Sequence, residues 1–204
     1  MDAAFFRDWL TAAAAVVESQ RDHLTQLDAA IGDADHGINM ARGFGAVTTA
    51  LAQKDPPTPG AVLTLAGSTL ISKVGGASGP LYGSFFLAAG EALAGKKLPE
   101  DLAEVFGSGV NAVSARGRSH AGEKTMLDVL VPVLETLKAD AGRDDLIERV
   151  RTTASEAVAR TVPMQATKGR ASFLGARSVG HVDPGAKSSC VLLHAVCSTL
   201  EARQ

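Results

Sequence analysis

Aromatic side chains are scarce in this sequence: Phe, Trp and Tyr make up 4% of its 204 residues. The hydrophobic share is nevertheless 46%, carried largely by alanine, leucine and valine, which favours helices packed closely on small side chains. The expected class is all-α. There is no basic excess, with 20 Lys and Arg against 22 Asp and Glu, so neither a nucleic-acid backbone nor an anionic membrane is an expected partner. The first twenty residues, "MDAAFFRDWLTAAAAVVESQ", lack a basic leading region and are interrupted by charge; they read as neither signal peptide nor membrane span, which implies a cytoplasmic location. Cysteine is nearly absent too. Cys190 and Cys197 are seven positions apart in an apolar stretch, on one face of a helix but too far apart for a disulfide within it, and read as reduced core thiols.

Several motifs are also missing. "GHVDPGAKS" approaches a phosphate-binding P-loop, but Ala186 separates glycine from lysine and no strand precedes it. No G-x-G-x-x-G fingerprint or G-x-S-x-G nucleophile elbow occurs. No window alternates with the period of a strand, and there is no internal repeat or low-complexity tract.

What remains is a series of amphipathic helices. Phe6, Leu10, Ala13, Val17, Leu24 and Leu27 recur at helical spacing and predict a first helix over 3–29. Met40, Phe44, Val47 and Leu51 continue a second, which stops before "DPPTP". Further helices are predicted over 60–74, 80–94, from Pro99 to about Ala115, 123–140 and 144–162. A last one begins with Asp183 as N-cap and Pro184 at its first position and ends near Glu201. The count is eight, in one domain over 1–204, and an up-and-down antiparallel bundle or barrel is the simplest closure. The glycines, acids and cations concentrate in alternate connections, 28–39, 75–79, 117–122 and 163–185. Alternate connections of such a bundle share one end, so that end is the expected active end.

Asp28, Asp33 and Asp35 cannot lie on one helical face and must converge through a loop. Carboxylates forced together call for a hard divalent cation, and an all-oxygen set suits Mg²⁺ or Ca²⁺ over zinc. The spacing is not that of an EF-hand, so Mg²⁺ partly held by phosphate oxygens is the better fit. The competing reading has Asp35 capping the second helix with the other acids solvated. Gly37 and Asn39 add donors at a helix start, where phosphate binds readily. "GGASG", Gly75 to Gly79, offers a second anion-binding concavity or a plain flexible turn. His36 reads as a hydrogen-bonded positioning residue and not a nucleophile. Lys168, Arg170, Arg177 and Lys187 are candidates to neutralise phosphate, with at least half of them expected to be merely solvated.

Four stretches, "LDAAIGDADHGINM", "GGASGPLYGSFF", "GEKTMLDVL" and "ATKGRASFLGARSVGHVDPGAKSS", together resemble the L subunit of dihydroxyacetone kinase, in order and over essentially the whole chain. The resemblance implies a closed barrel of eight antiparallel helices with ADP or ATP bound at one end through two Mg²⁺ ions. It implies that Asp28, Asp33 and Asp35 are metal ligands and that His36, Gly37, Ile38 and Asn39 form the phosphate-facing helix start. Ala77 and Ser78 would meet the nucleotide from the second turn, Gly117 and Met126 would flank the adenosine, Arg170 would reach it from the capping segment, and Asp183, Pro184 and Gly185 would make its last contact. No covalent catalytic residue is implied. In such systems a separate K subunit holds dihydroxyacetone, and a phosphohistidine protein, the M subunit of the phosphoenolpyruvate phosphotransferase system, recharges the bound ADP. A free-standing chain of this length fits that arrangement. The alternatives are a subunit of an ATP-dependent kinase for dihydroxyacetone or erythrulose with exchangeable ATP, and a regulatory module whose nucleotide state a transcription regulator reads.

Overall fold

A computed structural model describes residues 1–203. Among these residues every regular element is helical: α1 Ala3–Ser19, α2 Arg21–Ile31, α3 His36–Lys54, α4 Pro59–Lys73, α5 Ser78–Ala92, α6 Leu102–Gly117, α7 Leu127–Ala139, α8 Leu146–Arg160 and α9 Pro184–Glu201, with a 3₁₀ segment, Arg170–Ser178, between the last two. The all-α expectation holds. No helix among them is long and apolar enough to cross a membrane.

The predicted first helix is two helices. The chain bends at Gln20 (φ −96°, ψ 1°), although Gln20 still donates to Val16 O and Leu24 still donates to Gln20 O. The bend separates two different tasks. The buried face of α1, with Phe6, Leu10, Ala13 and Val17, joins the central core, whereas α2 turns Leu24, Asp28 and Ile31 toward the start of α3 and the 3₁₀ segment. The described residues therefore carry nine α-helices and one 3₁₀ segment, not eight helices.

Two other boundaries differ from expectation for local reasons. Pro99 does not open α6; residues 99–101 form a turn in which Leu102 N donates to Pro99 O and Asp101 caps the N–H of Lys97. The helix predicted from 123 starts only at Leu127, because Lys124 has a left-handed backbone (φ 62°) and Asp128 caps the preceding turn through the N–H groups of Gly122 and Thr125.

Packing follows chain order. α1 lies against α3, each of α3 to α8 lies against its successor, α8 lies against α9, and α9 returns to α1. The closest pair is α4 with α5. A side chain at Gly60 would meet the Gly90 carbonyl at 2.7 Å, and one at Gly67 would meet the Gly83 carbonyl at 2.7 Å, so paired glycines let the two backbones touch. Trp9, Phe44, Phe85, Phe86 and Phe106 gather in the interior as a chain of edge-on and tilted rings 5.3–6.3 Å apart. Both cysteines are free and buried.

Candidate functional site

The aspartate turn is built from the end of one helix and the start of the next. After Ile31 the chain passes through Gly32 and through Ala34 in a left-handed conformation (φ 61°), so that α3 starts at His36 directly over the last turn of α2. Asp28, still helical, points its Oδ2 at that start and accepts the backbone N–H groups of Asp35 (2.9 Å) and His36 (3.2 Å). Asp35 itself makes no side-chain cap. The capping role considered for Asp35 thus belongs to Asp28, which leaves the Asp35 carboxylate free of that bond. Oxygen atoms of Asp28, Asp33 and Asp35 lie within 4.8 Å of one another, with Asp28 buried and Asp33 exposed. That all-oxygen set, two of its members open to the cleft, fits a hard divalent cation. Across the cleft, Arg170 Nε donates to Asp33 Oδ2 at 2.9 Å.

Gly37 has no room for a side chain: a Cβ there would overlap the Arg21 carbonyl and crowd Thr25 of α2. That contact fixes how closely the two helices join beneath the acids.

His36 is buried, and its ring connects three helix starts. One ring nitrogen meets Ser78 Oγ at the start of α5 (3.0 Å) and the other meets Ser188 Oγ near the start of α9 (2.8 Å). Burial pulls the imidazole below its ordinary pKa, against the opposing pull of Asp28 and Asp35. It is therefore neutral at pH 7, one nitrogen donating and the other accepting, which suits a spacer between two hydroxyls and not a charged phosphate donor. Beyond Ser188 the chain of bonds continues to the Tyr82 hydroxyl (2.7 Å), which also meets Ser189 Oγ (2.9 Å). Burial holds that phenol well above its ordinary pKa. The starts of α3, α5 and α9, each carrying a partial positive charge, are thus held together by one neutral ring. Such a convergence accepts anions.

These elements surround a cleft of about 370 Å³. Of the sequence-predicted residues, Asp28, Asp33, Asp35, His36, Ala77, Ser78, Gly117, Met126, Arg170, Asp183, Pro184 and Gly185 all line it. Gly37, Ile38 and Asn39 do not: Gly37 is packed against α2, Ile38 faces solvent, and buried Asn39 accepts from Arg42 Nη2 at 2.6 Å beside Gly75. Of the four candidate cations, Lys168 and Arg170 line the cleft, and Arg177 and Lys187 do not. Sequence reasoning missed Tyr82, Lys124 and Ser188. Their signals were present, since Tyr82 lies in "GGASGPLYG" and Ser188 in "DPGAKSS", but neither type stands out without the hydrogen-bonded partner that the fold supplies.

A helical ring with carboxylates, three helix starts and several lysine and arginine side chains on one terminal cleft defines an all-α protein whose end site is suited to an anion held with a divalent cation. The model of the DAK2 domain matches residues 30–198, and the chain belongs to that family. It is 46% identical over 192 residues to "PEP-dependent dihydroxyacetone kinase 1, ADP-binding subunit DhaL" of Listeria innocua, covering 94% of this chain and 93% of that protein. It is 44% identical over 190 residues to the corresponding ADP-binding subunit of Escherichia coli K12, covering 89% of each. Among solved structures it resembles the dihydroxyacetone kinase from C. freundii in complex with AMP-PNP and Mg²⁺, with a TM-score of 0.78 and 25% identity, covering 96% of this chain and 34% of that longer one.

Proposed function

We propose that this chain is the ADP-binding subunit of a phosphoenolpyruvate-dependent dihydroxyacetone kinase, a phosphotransferase acting in the cytoplasm. The observation that carries the reading is the meeting of Asp28, Asp33 and Asp35 with the starts of α3, α5 and α9 on one cleft, in a chain that spans 93% of an ADP-binding relative. The eight helices α1 and α3 to α9 form the closed barrel, with α2 turned aside to present Asp28, and the whole is one domain.

Asp28, Asp33 and Asp35 would hold Mg²⁺, two ions in this reading, whose chemistry is to offset charge on the nucleotide phosphates. The chain's own residues do the rest. Backbone donors at Ala77 and Ser78 orient the phosphates, the α3 start from His36 to Asn39 contributes its partial positive charge from behind the cleft wall, and the neutral His36 ring keeps those two starts in register. Gly117 and Met126 accommodate the adenosine, and Asp183, Pro184 and Gly185 close its far side. Arg170 brings positive charge to the mouth, where the phosphoryl group is exchanged. No covalent step on this chain is needed, since phosphoryl transfer depends chiefly on positioning and electrostatics. The phosphoryl donor is a phosphohistidine protein of the phosphotransferase system, and the acceptor is dihydroxyacetone held by a K subunit.

The decisive experiment is mass spectrometry of nucleotide released on denaturing extensively dialysed protein, with metal content from the same sample. Retained ADP with about two Mg²⁺ per chain is expected. A chain that binds neither ADP nor ATP overturns the proposal. A second reading, a kinase subunit with exchangeable ATP acting on dihydroxyacetone or a related ketose such as erythrulose, is supported by the likeness to an AMP-PNP complex of a longer kinase. It predicts an empty purified chain that binds ATP reversibly. A transcription regulator as further partner would bind differently to the ADP-loaded and phosphorylated states.

A further inference from the structure

Lys124 is 1% exposed. Lysine is almost never so deeply buried unless its charge is paired, and here the ammonium is met by main-chain carbonyls. Nζ donates to Thr161 O (3.0 Å), Met164 O (3.0 Å), Ser178 O (2.7 Å) and His181 O (2.7 Å). Three hydrogens serve four acceptors, so at least one is shared. All four carbonyls belong to the run from 161 to 181 that connects α8 to α9, whereas Lys124 stands just before α7. Its backbone is left-handed (φ 62°), a conformation that residues with a side chain rarely adopt.

The connection it grips has little apolar hold of its own. Between Val162 and Val182 only Ala166, Ala171 and Ser178 are buried, and Phe173 is 87% exposed. The other ties are polar: Thr167 N donates to Glu123 O, Gly180 N to Val162 O, and Ala166 N to Ser178 Oγ. Two of the anchoring groups, the Glu123 carbonyl and the Lys124 ammonium, thus belong to adjacent residues. This same connection carries Lys168 and Arg170 to the cleft and leads into Asp183.

We propose that Lys124 is a positioning residue for the nucleotide: its ammonium gathers four carbonyls of the 161–181 connection and so fixes the cleft wall that carries Arg170. The proposal rests on the nucleotide-binding reading above, and it touches no reacting atom directly.

The test compares the full-length chain with Lys124→Met by amide hydrogen exchange and by release of ADP in the presence of Mg²⁺. Peptides within 162–182 should exchange at least tenfold faster in the variant, with those of α1, α4 and α5 unchanged. ADP should leave at least tenfold faster. In the assembled kinase, the ADP concentration that gives half-maximal activity should rise at least tenfold. Exchange that accelerates across every helix would overturn the proposal by making Lys124 a general fold residue, as would local loosening with ADP release unchanged within twofold. If the variant does not fold, the unmodified chain decides. Amides of 123–126 and 162–182 should then open together, and much easier opening of the second set defeats the clasp. If the unmodified chain holds no nucleotide, the function proposed above fails, and the exchange data still decide whether Lys124 orders the connection.

Discussion

The two walls of the cleft are made differently. The wall formed by the ends of α2 and α3 stands on packed helices: Met40, Phe44 and Val47 of α3 are fully buried, and Gly37 brings α3 against α2 with no space left between them. The wall formed by the 161–181 connection stands on hydrogen bonds, most of them to main-chain atoms. Apolar burial is insensitive to direction, whereas hydrogen bonds are lost with small displacements. The acid wall should therefore behave as part of the cooperative fold and the cationic wall as a locally opening unit. Under the proposed function, a site that holds a nucleotide firmly and still admits a phosphoryl group at its mouth would gain from such a division.

The same residue type placed in each wall gives the largest contrast. Phe44 is fully buried edge-on against Phe86, with ring centroids 6.3 Å apart. Phe44→Ala should cost about 3–5 kcal/mol, read as a lowered midpoint in denaturant unfolding. Equal midpoints for Phe44→Ala and the unmodified chain would break the comparison at its root. A smaller loss, about 1–3 kcal/mol, is expected for Gly37→Ala, because the Arg21 carbonyl that the new methyl meets is backbone and cannot rotate away. That variant should also weaken metal binding, measured by Mg²⁺ titration, since it moves the α3 start away from Asp28.

Between the walls stands Asp183, the N-cap of α9, whose Oδ2 accepts the Ala186 N–H at 2.7 Å. Burial pushes its pKa up to about 7, against the lowering effects of that hydrogen bond and of the Lys124 ammonium. An unfolded aspartate has a pKa of about 3.9, so between pH 4 and 7 the folded chain binds more protons than the unfolded one. Stability contributed at this position is greatest below about pH 4 and falls as the pH rises to about 7. Asp183→Asn retains a good N-cap without the buried charge and should flatten that slope. Thermal melts of both forms between pH 4 and 8 check it, and parallel curves would show that the carboxylate is already charged throughout.

Much of this was legible in the sequence, for reasons that differ between the walls. Helices α3 to α9 declare themselves because apolar residues repeat every three or four positions, and the aspartates declare themselves because three like charges gathered at a helix junction are unusual. The bend at Gln20 was hidden because the apolar spacing from Val17 to Leu24 runs through it unbroken. The capping of α3 by Asp28 across seven residues, and the His36 link to Ser78 and Ser188 across 42 and 152 residues, depend on where helices meet. Sequence spacing contains no such information. Lys124 was the hardest to see, since "GEKT" reads as a charged helix start and nothing local marks a lysine that faces carbonyls some forty to sixty residues away.

The smallest expected stability effects lie on the cationic wall, where they separate binding from folding. Arg170 is 68% exposed, and its bond to Asp33 is an exposed ion pair, which contributes about 0–1 kcal/mol. Phe173, though aromatic, is 87% exposed, and its removal should change stability by no more than about 0.5 kcal/mol. Arg170→Ala and Phe173→Ala should therefore melt like the unmodified chain. Their binding should nevertheless diverge: Arg170 lines the cleft and Phe173 does not, so Arg170→Ala should weaken ADP in the presence of Mg²⁺ about tenfold, and Phe173→Ala should leave it unchanged. Calorimetric titration of both decides. Equal ADP affinity in the two variants would mean that the ion pair with Asp33 only holds the connection near the acids. Unequal affinity at equal melting temperature would place the contribution of Arg170 in the bound state.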